Sequence, residues 1–166
     1  YRIDRQSGLI ASVVHDGMEL VAEPVRPAVW RAPTDNDRNI KNEWFRAGFD
    51  RCESKCYSCS AETGEGGGVT VHSRISLGAR ALRPVLWALL QYRFAADGSV
   101  TLVIDASVRE GVPMLPRFGM QLMLPYGMEY IRYFGRGACE SYIDKRLASR
   151  LGIYTTTATD NFEHYI

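Results

Sequence analysis

A chain of 166 residues with 46% hydrophobic and 23% charged side chains is long enough for one soluble domain with a sizeable core. Its formal net charge of +1 gives no electrostatic reason to bind nucleic acid or an anionic membrane surface. No apolar run approaches the roughly 20 residues that a membrane span needs. The chain opens without methionine on strand-like Tyr1-Arg2-Ile3-Asp4, which reads as a piece excised from a longer protein.

Residues 1–22 read as two or three short strands of a β-meander, with turn signals at Ser7-Gly8 and Asp16-Gly17. Pro24 and Pro27 break regularity and lead into Trp30-Arg31-Ala32-Pro33-Thr34-Asp35-Asn36-Asp37, the densest cluster of unusual chemistry in the chain. Pro33 lacks an N–H and biases Ala32 toward extended backbone. The side chains of Asp35, Asn36 and Asp37 favour turns by bonding nearby backbone. The structural reading is a strand that ends in an Asx-rich turn, with Arg31 paired to an aspartate to hold the loop. The functional reading is a sugar or cation site, since carboxylates and amides bind hydroxyls and hard cations. Three such residues in a row lack the alternate spacing of a calcium loop.

Residues 42–49 can form a short helix with Trp44, Phe45, Gly48 and Phe49 on one side, marginal at two turns without packing. A strand over 51–61 carries Cys52, Cys56 and Cys59, and the glycine-rich 62–68 is a hairpin tip. No GKS or GKT follows those glycines, so they are not a phosphate loop. The clearest strands come next. Val69, Val71, Ser73 and Ile75 share one face; Leu86, Ala88, Leu90, Tyr92 and Phe94 share another; Val100, Leu102, Ile104, Ala106 and Val108 follow the Asp97-Gly98 turn. This period of two marks half-buried antiparallel strands. Further strands are expected over 118–124, 130–134 and 154–159, with a turn at Gly135-Arg136-Gly137 and a loop with at most one helical turn over 140–150. Evenly spaced short strands with Gly and Pro turns point to an all-β antiparallel sandwich. With no repeat and no internal linker, 1–166 reads as a single domain.

Cys52-x3-Cys56-x2-Cys59 can hold metal, but Cys139 lies far along the chain with no second knuckle, so free thiols packed as small hydrophobes are the simpler reading. Unpaired cysteines favour a reducing compartment, hence a cytoplasmic location. His15, His72 and His164 are scattered and have no recognisable motif.

Trp-Arg-Ala-Pro-Thr-Asp-Asn-Asp resembles the signature near the start of the last domain, the small chain, of glycoside hydrolase family 2 β-galactosidases. Other stretches agree in order. Arg5-Gln6-Ser7-Gly8-Leu9 resembles the family's R-x-S-G hairpin, and Trp44 to Gly48 its W-x-x-A-G step. Leu115 to Met120 resembles L-P-R-x-G, and Phe134 to Tyr142 resembles F-G-x-G-P-x-E-N-Y, followed by Asp144 and Arg146 where the family has D-R. Ala138 departs from the family proline, Ser141 from its asparagine, and Lys145 is an insertion.

The resemblance covers the whole chain and implies an antiparallel supersandwich similar to the galactose mutarotase-like fold. It implies the N-terminal part of that last domain, truncated at its C-terminal end, so an incomplete domain whose strand edges would lack partners. It further implies a non-catalytic accessory role in an enzyme that hydrolyses terminal non-reducing β-D-galactosides such as lactose. Retaining glycosidases need two carboxylates about 5–5.5 Å apart; in the family these sit in a (β/α)8 barrel, and this chain has no alternating strand–helix units. The fragment alone is therefore expected to be inactive. The implied partners are the remaining domains of the same chain, a homo-oligomer, and the galactoside through the full enzyme, without nucleic acid or membrane. The family commonly uses Mg and Na in its other domains, and no cofactor is expected in this fragment. Trp30, Arg31, Asp35, Asn36, Asp37, Glu140 and Arg146 are the candidate loop-anchoring or sugar-contacting residues. A free-standing carbohydrate-binding module is the alternative, with Trp30, Trp44 and Trp87 as possible platforms. A mutarotase-like enzyme would need a histidine and a carboxylate acting together on one sugar, and neither His15 nor His72 carries such a motif.

Overall fold

The structure is a computed structural model of the chain and describes residues 1–64, 67–139, 141 and 143–162. Its strands are antiparallel throughout the described ladders, and it divides into two compact units, Tyr1–Leu124 and Pro125–Ile166.

The first unit starts with β1 (Arg2–Asp4) paired to β2 (Leu9–Ser12). The Asp4 carboxylate closes their turn by accepting the N–H groups of Gln6 and Ser7, each at 3.1 Å. Gly8 is required here twice over: its φ is +70°, and an added Cβ would lie 2.9 Å from that of Ser73. The next hairpin joins β3 (Val14–His15) to β4 (Met18–Glu19) through Asp16-Gly17, both at positive φ, as a type I′ turn demands. The strands and turns expected over 1–22 are present, but as two separate two-stranded hairpins rather than one meander, since no ladder joins β2 to β3 among the described residues.

A short ladder pairs β5 (Arg26–Ala28) with β10 (Gly119–Gln121). Here the structure departs from the strand expected over 118–124. The ladder stops where its three-residue partner stops, and Leu122, Met123 and Leu124 are exposed. Between these strands lies α1 (Lys41–Ala47), which ends at Gly48 with φ +76°, a left-handed cap that frees the chain to turn into the next strand.

The centre of the unit is a four-stranded meander: β6 (Cys52–Thr63), β7 (Val69–Ala79), β8 (Leu86–Phe94) and β9 (Val100–Val108), in that spatial order. Alternation along β8 shows how the sequence sets the faces. Leu86, Ala88, Leu90 and Tyr92 are buried, whereas Trp87 and Leu89 are each 43% exposed. The inner face packs Val71, Ile75 and Leu77 of β7 against Leu9, Ile10, Val21, Val25, Val29, Trp44 and Phe49 from the first fifty residues. Each fully buried Leu or Ile there contributes about 1.5–3 kcal/mol relative to an exposed one. The N-terminal hairpins and α1 therefore form the second layer of an all-β, sandwich-like arrangement over one face of the sheet.

The second unit is a ribbon of β11 (Tyr130–Gly137) and β12 (Arg150–Thr157) with a 3-10 segment over Ile143–Ala148. Gly135-Arg136-Gly137 is not the expected turn; it continues β11. The reason is packing. Tyr133 and Tyr154 stack across the ribbon at 5.6 Å, and a Cβ on Gly137 would meet the Tyr133 hydroxyl at 2.6 Å. These glycines make room for rings rather than a bend. Strand β12 also starts earlier than the expected 154–159, because Arg150 to Ile153 complete the ladder opposite the extended β11. No helix among the described residues is long and apolar enough to cross a membrane.

Candidate functional site

The loop from Trp30 to Asp37 folds around an ion pair. Arg31 donates from Nη1 to Asp37 Oδ2 at 2.5 Å and from Nη2 to Oδ1 at 3.0 Å, the bidentate geometry that fixes both partners. The same Nη1 donates to the Ala32 carbonyl at 3.1 Å, and the guanidinium lies 5.3 Å from the centre of the Trp44 ring. Asp37 Oδ2 also accepts the Thr34 N–H at 2.7 Å and the Thr34 hydroxyl at 3.1 Å. Pro33 and Thr34 thus swing the chain into a 3-10 turn over Asp35–Asp37, and Asp37 reaches back to close it. The Arg31 and Asp37 side chains are only 16% and 13% exposed.

Bonds from Arg31 first, and from the Thr34 amide and hydroxyl after it, lower the Asp37 carboxyl from 3.8 to about 2, against the opposing effect of burial. Because the folded value lies below the unfolded one, the folded state binds fewer protons between them. The stabilisation is full above about pH 4 and is lost as pH falls toward 2. Its size is about 2 kcal/mol, since each tenfold change in proton affinity is worth about 1.4 kcal/mol. Unfolding free energy measured from pH 5 to pH 2 is expected to fall by about that much more in the native chain than in Asp37→Asn.

The other candidates are placed differently. Trp30 is half-buried and packs against Phe45 with ring centres 5.2 Å apart. Trp44 is 1% exposed and donates its indole N–H to the Met114 carbonyl at 2.9 Å, so it belongs to the core. Asp35 and Asn36 are exposed at the tip of the turn, and neither side chain makes a hydrogen bond to a described residue. Glu140 lies outside the described residues. Arg146 is exposed in the second unit, where its carbonyl accepts from Arg136 Nη1 at 3.3 Å. Arg136 also donates to the Ser149 carbonyl at 3.1 Å. Sequence reasoning gave Arg136 no role; a charged residue between two strand glycines was its one signal.

Cys52, Cys56 and Cys59 are free thiols spread along β6, and Cys139 is free and exposed. Burial pushes the Cys52 thiol up to about 11 and raises that of Cys56, the opposite of what a reactive thiolate or metal ligand needs. Among the described residues no group of three or more His, Cys, Asp or Glu side chains is placed to hold a metal ion. His72 Nε2 lies 3.1 Å from Glu62 Oε1 on the outer face of the sheet, and His15 beside Asp16 in the exposed hairpin turn.

The outer face carries what the loop lacks, an exposed aromatic surface. Trp87 and Leu89 are 43% exposed and Tyr57 is 48% exposed, around a depression of about 460 Å³.

Comparison with known proteins then decides the family. The profile described as "Beta galactosidase small chain" matches residues 1–166, the entire chain. The chain belongs to the β-galactosidase small-chain family. It is 33% identical over 166 residues to the β-galactosidase of Actinobacillus pleuropneumoniae, covering 100% of this chain and 16% of that protein. It is 31% identical to that of Staphylococcus xylosus, covering 100% and 17%. The β-galactosidase of Vibrio cholerae serotype O1 is 28% identical over 179 residues, with 100% and 17% covered. The small-chain segment thus spans about one sixth of the length of the curated relatives it matches.

Proposed function

We propose that this small-chain segment is a non-catalytic accessory domain of a β-galactosidase that hydrolyses terminal non-reducing β-D-galactosides such as lactose. The observation that carries the reading is the end-to-end match of the chain to one sixth of several β-galactosidases. The arrangement of the signature loop supports it. Asp37 is held ionised by Arg31 and saturated with hydrogen bonds, so it is suited neither to protonate a leaving group nor to attack a sugar. In this reading the two working carboxylates, and the Mg and Na ions, belong to other domains. The accessory domain packs on the catalytic barrel and helps complete the substrate pocket or the oligomer. A nitrophenyl β-D-galactoside incubated with the purified 166-residue chain is expected to release no nitrophenol above the buffer rate. Turnover that scales with chain concentration and survives repurification would overturn the assignment.

A further inference from the structure

We propose that the outer face of the four-stranded sheet is a binding site for a neutral pyranoside, seated on Trp87 and Leu89 between Arg74 and Asp105. Strand register fixes the arrangement. Arg74 on β7 and Asp105 on β9 both stand opposite Leu89 of β8, one on each side. Two strand spacings, about 9–10 Å, therefore separate their backbones. Across that gap the two side chains form no ion pair, which leaves both free to meet a ring placed between them. Neither side chain takes another ion pair or hydrogen bond among the described residues, and both are exposed.

One row along, Trp87 lies opposite Ser76 and Ser107. Ser76 is tied to the Tyr57 hydroxyl at 3.1 Å, which stands Tyr57 up as a wall beside Trp87. The depression lined by Tyr57, Arg74, Trp87, Leu89 and Asp105 measures about 460 Å³, within the range of small-molecule sites. A pyranose presents an apolar C–H face to an aromatic or aliphatic floor and a rim of hydroxyls that both donate and accept. A floor of Trp87 and Leu89, with one donor flank and one acceptor flank of cancelling charge, matches that pattern. A singly charged ligand would be attracted by one flank and repelled by the other, so its charge brings no net gain.

The test is a titration of the 166-residue chain with methyl β-D-galactopyranoside, read by tryptophan fluorescence. A saturable change at millimolar sugar is expected. It should disappear in Trp87→Ala, persist in Trp30→Ala, and weaken about tenfold in Asp105→Asn, where a charge-assisted bond is lost. Trp87 and Asp105 both face solvent, so their variants should keep the native melting midpoint. Should Trp87→Ala fail to fold, Asp105→Asn and Arg74→Gln carry the comparison. A flat titration overturns the proposal, as does a response unchanged in those variants. So does a face that resists sugar but whose Trp87→Ala variant no longer associates with the rest of a β-galactosidase, because the surface is then a protein contact. Failure here leaves the accessory role standing, since that role is judged by hydrolysis rather than by sugar affinity.

Discussion

Replacing Trp44 with alanine is expected to lower the unfolding free energy of the chain by about 3–5 kcal/mol, the range for truncating a large buried aromatic side chain. Trp44 is 1% exposed in the layer that covers the sheet, so its removal leaves a cavity ringed by groups that cannot all move inward. It also frees the Met114 carbonyl and withdraws the ring from beneath Arg31. A domain's total stability is about 5–15 kcal/mol, so the variant should melt far below the native chain or fail to fold. Trp44→Phe separates the parts: it keeps most of the packing and loses the indole bond, at a cost of about 1 kcal/mol. Chemical denaturation followed by circular dichroism measures both. A native-like midpoint for Trp44→Ala would mean that α1 does not close the core.

Arg31→Ala is expected to cost about 3–5 kcal/mol, the range for breaking a largely buried ion pair from one side. The loss is asymmetric. Asp37 stays behind at 13% exposure, still accepting from the Thr34 amide and hydroxyl but without its cationic partner. Asp37→Asn should cost less, because the amide oxygen still accepts from Arg31 or Thr34, although Arg31 then loses its anionic partner. The double variant should then cost less than the two single changes summed, as expected for groups that act as one unit. An unchanged melting midpoint in Arg31→Ala would contradict the anchoring role.

Much of the sheet was legible because burial there is one-sided. The alternation of Leu86, Ala88, Leu90 and Tyr92 against Trp87 and Leu89 is a two-residue period that only a strand satisfies. Asp16-Gly17 and Gly8 carried their turns for equally local reasons. Elements governed by partners were misread. The ladder around Met120 ends with β5, and no feature of 118–124 records the length of that partner. Gly135 and Gly137 resemble turn residues, yet both lie against the Tyr133 ring, and Gly137 also makes room for Tyr154, which comes from a strand further along the chain. In the loop, Pro33 and the Asx run announced a turn, while which aspartate meets Arg31 depended on the reach of a 3-10 turn closed by Asp37. The three tryptophans show the same limit. Composition cannot tell that Trp44 is core, Trp30 half-buried and Trp87 exposed; strand and helix register can.

The most direct measurement is complementation. A β-galactosidase polypeptide lacking the stretch that corresponds to residues 1–166 is mixed with this chain, and hydrolysis of a nitrophenyl galactoside is followed with and without it. The accessory role predicts that the shortened polypeptide is impaired and regains activity, saturably, as the chain is added. Full activity in the shortened polypeptide, with no response to the added chain, would contradict it.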